Sequence, residues 1–112
     1  VICDRFADST RVYQGATRGD LRNKVDLLHT TMIGREPDLT IIIDVEPEVA
    51  LKRGLARNTG EDRFEDFGLK FQENLRVGFL KLAEEYPLRC KLVDGNRPTK
   101  EVFKDVLALA QL

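Results

Sequence analysis

Asp4 and Arg5 directly follow the apolar run Val1-Ile2-Cys3, setting a carboxylate beside a guanidinium. Such a carboxylate suits the hydration shell of a magnesium ion, and a planar guanidinium fork suits two phosphate oxygens. The same pair also reads as a local ion pair or a helix cap, and residue types alone leave both open. Just downstream, Asp8-Ser9-Thr10-Arg11-Val12-Tyr13-Gln14-Gly15 gathers hydroxyls, a phenol and an amide into one short helical or turn segment. These groups can read the edge of a base or a sugar by hydrogen bonds. They can equally cap a helix, with Tyr13 as a core residue.

Arg53, Arg57 and Arg63 bracket the polar connection Asn58-Thr59-Gly60-Glu61-Asp62. Arginines on a connection above a parallel sheet suit the neutralisation of transferring phosphoryl oxygens. Composition by itself favours the plainer reading, a solvated loop in which Glu61, Asp62 and Glu65 supply weak ion pairs. Asp44, shortly before Pro47, reads as a cap for the following helix. Gly95-Asn96-Arg97 reads as a turn leading into a helix. His29 falls beside an apolar stripe and reads as a partly buried structural residue. The chain contains no G-x-x-x-x-G-K-[ST] and no G-x-G-x-x-G phosphate loop, so phosphate cradling by a glycine-rich loop is expected from residues before Val1.

These residues need a scaffold, and the apolar pattern outlines one. Leu39 to Val45 is β-branched and almost continuous, as in a strand covered on both faces, and Cys90 to Val93 is a shorter strand candidate. Val1 to Cys3 is a third. Leu21, Val25, Leu28 and Met32 recur at helical spacing, with Gly34 placed for a left-handed cap. Pro47 suits the first turn of a helix whose apolar side carries Val49, Ala50 and Leu55. Phe64, Phe67, Phe71, Leu75, Phe79, Leu82 and Tyr86 form a long stripe stopped by Pro87. Pro98 opens a last helix with Val102, Phe103, Val106, Leu107 and Ala110 inward. Strands alternating with helices predict an α/β fold with a parallel sheet, three layers deep, and right-handed crossovers. Three strands make a narrow sheet, so further strands are expected upstream.

Composition limits the partners. Across 112 residues, 18 Lys and Arg balance 19 Asp and Glu for a net charge of −1, which argues against nucleic acid or a membrane surface as a partner. Ile41 to Ile43 in the strands and Val106 to Ala110, the longest unbroken apolar run of the chain, are both far short of the ~20 residues of a membrane-spanning helix. Cys3 and Cys90 lie in apolar runs as free thiols would in a reducing cytosol, so a cytoplasmic protein is expected.

Asp4-Arg5-Phe6, Ser9-Thr10, Tyr13-Gln14-Gly15, Pro37-Asp38-Leu39-Thr40, Ile43-Asp44-Val45, Pro47-Glu48-Val49, Leu51-Lys52-Arg53 and Asp62-Arg63-Phe64-Glu65 occur in an order that resembles the bacterial thymidylate kinases. The resemblance implies a P-loop kinase fold of which residues 1–112 are the C-terminal portion of a single nucleoside-monophosphate kinase domain, with a lid at about 57–65. It implies phosphorylation of dTMP to dTDP with ATP as co-substrate and Mg2+, by a homodimer. Arg5 would hold the dTMP phosphate and Asp4 would act through the magnesium shell. Ser9, Thr10 and Gln14 would line the thymine end, with Tyr13 near the deoxyribose. Arg57, with Arg53 and Arg63, would belong to the lid over ATP, and Asn96 and Arg97 would flank the adenine. Phe6 stands where relatives often carry tyrosine or histidine. The 112 residues alone are expected not to transfer phosphate.

Two other readings compete. A deoxynucleoside kinase of the same superfamily would need a general base for a sugar hydroxyl, whereas a monophosphate acceptor is already anionic and needs orienting. A non-enzymatic interaction segment would use its exposed edge and Phe-rich helix to pair with another chain.

Overall fold

A computed structural model describes residues 1–16, 21–57 and 68–111. A single helical turn, α1 (Ala7–Thr10), runs directly into a π-helix (Arg11–Ala16), followed by α2 (Arg22–Met32), β1 (Thr40–Asp44), α3 (Pro47–Arg57), α4 (Gly68–Glu85), β2 (Cys90–Asp94) and α5 (Thr99–Ala110). β1 and β2 pair in parallel from Thr40 opposite Cys90 to Asp44 opposite Asp94. The ladder is prolonged at both ends, by the Thr40 N–H on the Arg89 carbonyl and the Gly95 N–H on the Asp44 carbonyl. Both strands therefore finish together, and their carboxyl ends form one rim. That is the edge at which α/β sheets bind ligands.

α4 is the spine of the core. Its Leu75 and Leu82 pack with Val12 of the π-helix, with Tyr13, Phe71, Phe79 and Tyr86 around them. Ala83 of the same helix meets Ile42 and Cys90 of the sheet, with Phe79 and Tyr86 shared between the two clusters. The period of the stripe thus places α4 between the sheet and the segment at residues 7–16. α5 packs against β2, where Val93 is buried on the strand face opposite Cys90. At the end of α2, Gly34 takes φ +71°, and its N–H returns to the His29 carbonyl at 2.8 Å. A side chain there would be strained, so glycine ends the helix.

The structure departs from the sequence reading in several places. Val1 to Cys3 is not a strand, and all three residues are exposed. A strand exists only through pairing, and no described residue pairs with this run. The sheet of the described residues has two strands. Leu28 and Met32, read as inward, are 63% and 77% exposed because the α2 stripe faces a cleft. Phe103 is also exposed, on the outer side of α5. His29 is buried, at 6% exposure, rather than partly so. Phe64, Phe67, Arg63 and most of the 57–65 lid lie outside the described residues, as does the side chain of Arg57.

Candidate functional site

Seven of the first fourteen residues converge on one cleft of about 670 Å³. Arg5, Phe6, Ala7, Ser9, Thr10, Tyr13 and Gln14 form one wall, and Val25, Leu28, His29, Met32 and Ile33 form the other. The helical turn of α1 and the wider π-turn after it put Ser9, Thr10, Tyr13 and Gln14 on a common side. All five residues expected to bind the acceptor are thereby brought together.

Arg5 stands at the mouth with φ +68°. A non-glycine residue in the left-handed region costs about 1–3 kcal/mol, and such strain concentrates at functional positions. Its guanidinium lies 5.3 Å from the centroid of the Tyr13 ring. No carboxylate among the described residues pairs with it. The N-cap of α1 is Phe6, without a side-chain cap. Asp4 and Arg5 are therefore neither an ion pair nor a cap, and the fork is left to face the cleft. Tyr13 is held from behind by Phe71 and Phe79, with ring centroids 6.3 and 6.4 Å away, and Phe6 packs edge-on against His29.

Behind the wall lies a network of charges that the sequence reading missed. Arg11 is 4% exposed, and its guanidinium donates to Asp8 (2.8 Å), Asp26 (2.7 Å) and both oxygens of Glu36 (2.6 and 3.1 Å). Arg89 adds a second fork to Asp8 and shares Thr40 Oγ1 with it. Arg22 joins Asp26 to Glu85 of α4. Burial pushes the Asp8 carboxyl up, but donors from Arg89, Thr40 and Arg11 outweigh it and hold it below the usual carboxylate range. The Arg11 fork likewise holds Glu36 low, and Glu36 in turn raises Arg11. His29 Nε2 approaches Glu36 Oε1 to 3.2 Å, yet among the described residues neither ring nitrogen makes a hydrogen bond. Pairings 15, 25 and 81 residues apart leave no short-range trace. The one local signal is Arg11 beside core Val12, three residues after Asp8.

The residues at the strand ends are already engaged. Asp44, read as a helix cap, instead accepts both nitrogens of the Arg76 fork from α4 at 2.9 and 3.1 Å. Asn96 Oδ1 accepts the N–H of Glu46, the residue just before α3. Asp94 Oδ1 accepts the Asn96 N–H, so the Gly95-Asn96-Arg97 segment read as a turn bends just after β2 and before α5. Arg53 donates to the Gly95 carbonyl at 2.7 Å, and Arg97 binds the Asp94 carbonyl and Asp105. Arg53, Asn96 and Arg97 thus cluster at the sheet rim, each with at least one polar atom bonded to the protein. Among the described residues no group of three His, Cys, Asp or Glu side chains is arranged to hold a metal ion. No helix among them is long and apolar enough to cross a membrane, and Cys3 and Cys90 are unpaired.

Comparison with known proteins now places the chain. A sequence model of thymidylate kinase matches residues 1–106. Thymidylate kinase of Dinoroseobacter shibae is 70% identical over 108 residues, which cover 96% of this chain and 52% of that protein. Thymidylate kinase of Clostridium novyi is 44% identical over 108 residues, covering 95% and 53%. The crystal structure of thymidylate kinase from Ehrlichia chaffeensis aligns with all of this chain and 49% of its own, at a TM-score of 0.70 and 31% identity. The chain spans about half the length of the curated relatives it matches, and its α/β architecture with a parallel sheet is part of a P-loop kinase fold. On sequence and on fold together, the chain belongs to the thymidylate kinase family.

Proposed function

We propose that the protein to which these residues belong transfers the γ-phosphoryl group of ATP to dTMP, and that this chain supplies the acceptor side of the site. The observation that carries the reading is the convergence of Arg5, Ser9, Thr10, Tyr13 and Gln14 on one cleft, with the Arg5 fork unpaired by any described carboxylate. A nucleoside monophosphate needs one cationic fork for its phosphate, an aromatic face for its sugar or base, and short polar groups for the base edge. The cleft offers each in turn. Its second wall, with Val25, Leu28 and Met32, suits the apolar face of a methylated pyrimidine.

Arg5 orients an acceptor that is already anionic, so the chemistry asks for alignment and charge neutralisation rather than a base. Asp4 is exposed beside it, a single carboxylate fitting a magnesium ion that takes most of its ligands from phosphates and water. Bound there, Mg2+ would supply charge neutralisation at the phosphates. Arg57 and Arg63, on the lid at about 57–65, engage the transferring group, and Arg53 with Arg57 binds ATP. Asn96 and Arg97 flank the adenine, and Arg53 and Arg97 exchange their carbonyl bonds for nucleotide contacts. The 112 residues alone do not transfer phosphate, because no glycine-rich loop occurs in them. The working protein is read as one kinase domain acting as a cytoplasmic homodimer; for the pairing, the support is the exposed apolar side chain of Leu27, which lies outside the cleft.

The test is a phosphoryl-transfer assay on the full-length protein with ATP and Mg2+, comparing dTMP with thymidine, dUMP, dCMP and AMP. Preferred turnover of dTMP is expected. Turnover of thymidine without dTMP would make the protein a nucleoside kinase instead, and no transfer to any acceptor would return it to an interaction role.

A further inference from the structure

The two walls of the cleft are each two-sided. On the first, Ser9, Thr10, Tyr13 and Gln14 line the cleft while Asp8 and Arg11 do not. On the second, Val25, Leu28, His29 and Met32 line it while Arg22 and Asp26 do not. The walls are joined behind the cleft by Arg11, whose Nε donates to Asp26 Oδ1 at 2.7 Å while its other nitrogens hold Asp8 and Glu36. Asp26 is in turn held by Arg22 Nε at 2.9 Å, which fixes the far end of the bridge to α2 itself.

The geometry points to Arg11 as a positioning residue that, through Asp26, sets the separation of the cleft walls and so the fit of the acceptor base between them. This rests on the acceptor reading given above. Three features make the bridge a spacer and not only a buried ion pair. Arg11 is the first residue of the π-helix, so it sits where the backbone widens to turn Tyr13 and Gln14 inward. Its planar fork fixes direction as well as distance, and it serves three carboxylates from three parts of the chain at once, which a lysine ammonium cannot do with the same geometry. Asp26 lies one turn from Arg22 and three residues before His29, so a shift at Asp26 moves the wall that carries Leu28, His29 and Met32.

An apolar cleft reads a methyl group by closeness of fit, so wall spacing governs discrimination between dTMP and dUMP, which differ by the 5-methyl. The experiment uses the full-length protein, with Asp26→Asn as the main variant. It is isosteric and turns one of the two acceptor oxygens at the half-exposed end of the bridge into an amide donor, so that side chain can no longer accept from Arg11 and Arg22 together, while Asp8 and Glu36 stay on Arg11. Arg11→Lys is the second variant. Calorimetric Kd for dTMP, kcat/KM for dTMP and dUMP, KM for ATP and Tm are measured for each. Asp26→Asn is expected to weaken dTMP binding about tenfold and to narrow the dTMP:dUMP ratio by a similar factor, with KM for ATP within about twofold. A merely structural bridge lowers Tm and the active fraction but leaves the ratio and the Kd alone. Wild-type Kd and ratio in Asp26→Asn, whatever its Tm, would overturn the spacer. Should the wild-type protein itself neither bind nor phosphorylate dTMP, the acceptor reading fails and the spacer with it. An active wild type with indifferent variants removes the spacer only.

Discussion

Arg89 closes both terminal nitrogens on the two carboxylate oxygens of Asp8, at 2.6 and 3.0 Å, across 81 residues of sequence. The pair ties the segment that carries the cleft residues to the start of β2, and Arg11 holds the same carboxylate from the other side at 2.8 Å. One buried anion therefore satisfies two guanidinium groups, of which Arg11 is 4% exposed.

Removing that anion takes from Arg89 its two-pronged partner and from Arg11 one of its three carboxylates. Breaking a buried pair by deleting one partner costs about 3–5 kcal/mol, because the remaining charge is uncompensated. Asp8→Ala is expected at the lower end of that range, since Glu36 remains within 3.4 Å of Arg89. Asp8→Asn, which keeps the acceptor oxygen, should lose less. Urea unfolding of the full-length protein measures both, and a loss for Asp8→Ala no larger than that of an exposed substitution would show that the network contributes nothing to folding.

The same network sets an acid limit. The carboxyls of Asp8, Glu36 and Asp26 all lie below their usual range: donors from Arg89, Thr40 and Arg11 outweigh burial at Asp8, the Arg11 fork lowers Glu36, and Arg11 and Arg22 outweigh burial at Asp26. A carboxyl depressed in the folded state binds fewer protons than in the unfolded chain. Its stabilisation is complete above the unfolded value, near pH 4, and is lost as pH falls through the lower folded value. Tm is expected to hold steady from pH 7 to about pH 5 and to fall steeply below about pH 4. Asp8→Asn should flatten the acid limb, and an unchanged limb would remove Asp8 from it.

What the sequence disclosed follows from the range of the interactions involved. β1, β2 and the stripe of α4 are local patterns, and Leu75, Phe79, Leu82 and Tyr86 lie where their spacing placed them. Ser9, Thr10, Tyr13 and Gln14 were legible as one polar segment because they fall within six consecutive residues. Their supporting charges were not, since Asp26, Glu36 and Arg89 look like ordinary surface residues until the fold carries them to Arg11 and Asp8. Leu28 and Met32 misled for a related reason. Periodicity shows that a helix has an apolar face, but it does not show whether that face meets a core or a cleft.

Gly95 is where β2 ends against β1, and it has no room for a side chain. A Cβ there would lie 2.5 Å from Ile43 Cγ2 and 2.6 Å from Val45 Cγ2. Its N–H and carbonyl are both committed, to Asp44 and to Arg53. Gly95→Ala must push β1 away from the turn, and overpacking of this kind costs about 1–3 kcal/mol. A lower Tm is expected, together with a raised KM for ATP if Asn96 and Arg97 flank the adenine as proposed. An unperturbed Tm would mean that the rim is loose enough to absorb a methyl group.

Arg5 allows the acceptor site to be tested apart from the fold. It is exposed, its guanidinium touches the Tyr13 ring, and its backbone is strained at φ +68°. Arg5→Lys keeps the positive charge and, being another L-residue with a Cβ, keeps the same backbone strain, so neither of those changes. What it removes is the planar fork, which can hold two phosphate oxygens in a fixed plane where an ammonium holds them as a point charge. A purely electrostatic role would leave most of the activity in place. The expectation is instead a rise of about tenfold or more in KM for dTMP together with a fall in kcat, because a misaligned acceptor phosphate loses both a partner and its line of attack. Tm should stay within about 1–2 °C of wild type, since little is packed around the side chain. Near-normal kinetics would remove Arg5 from the site, whereas a Tm drop of several degrees would make it a structural residue whose strain serves the fold.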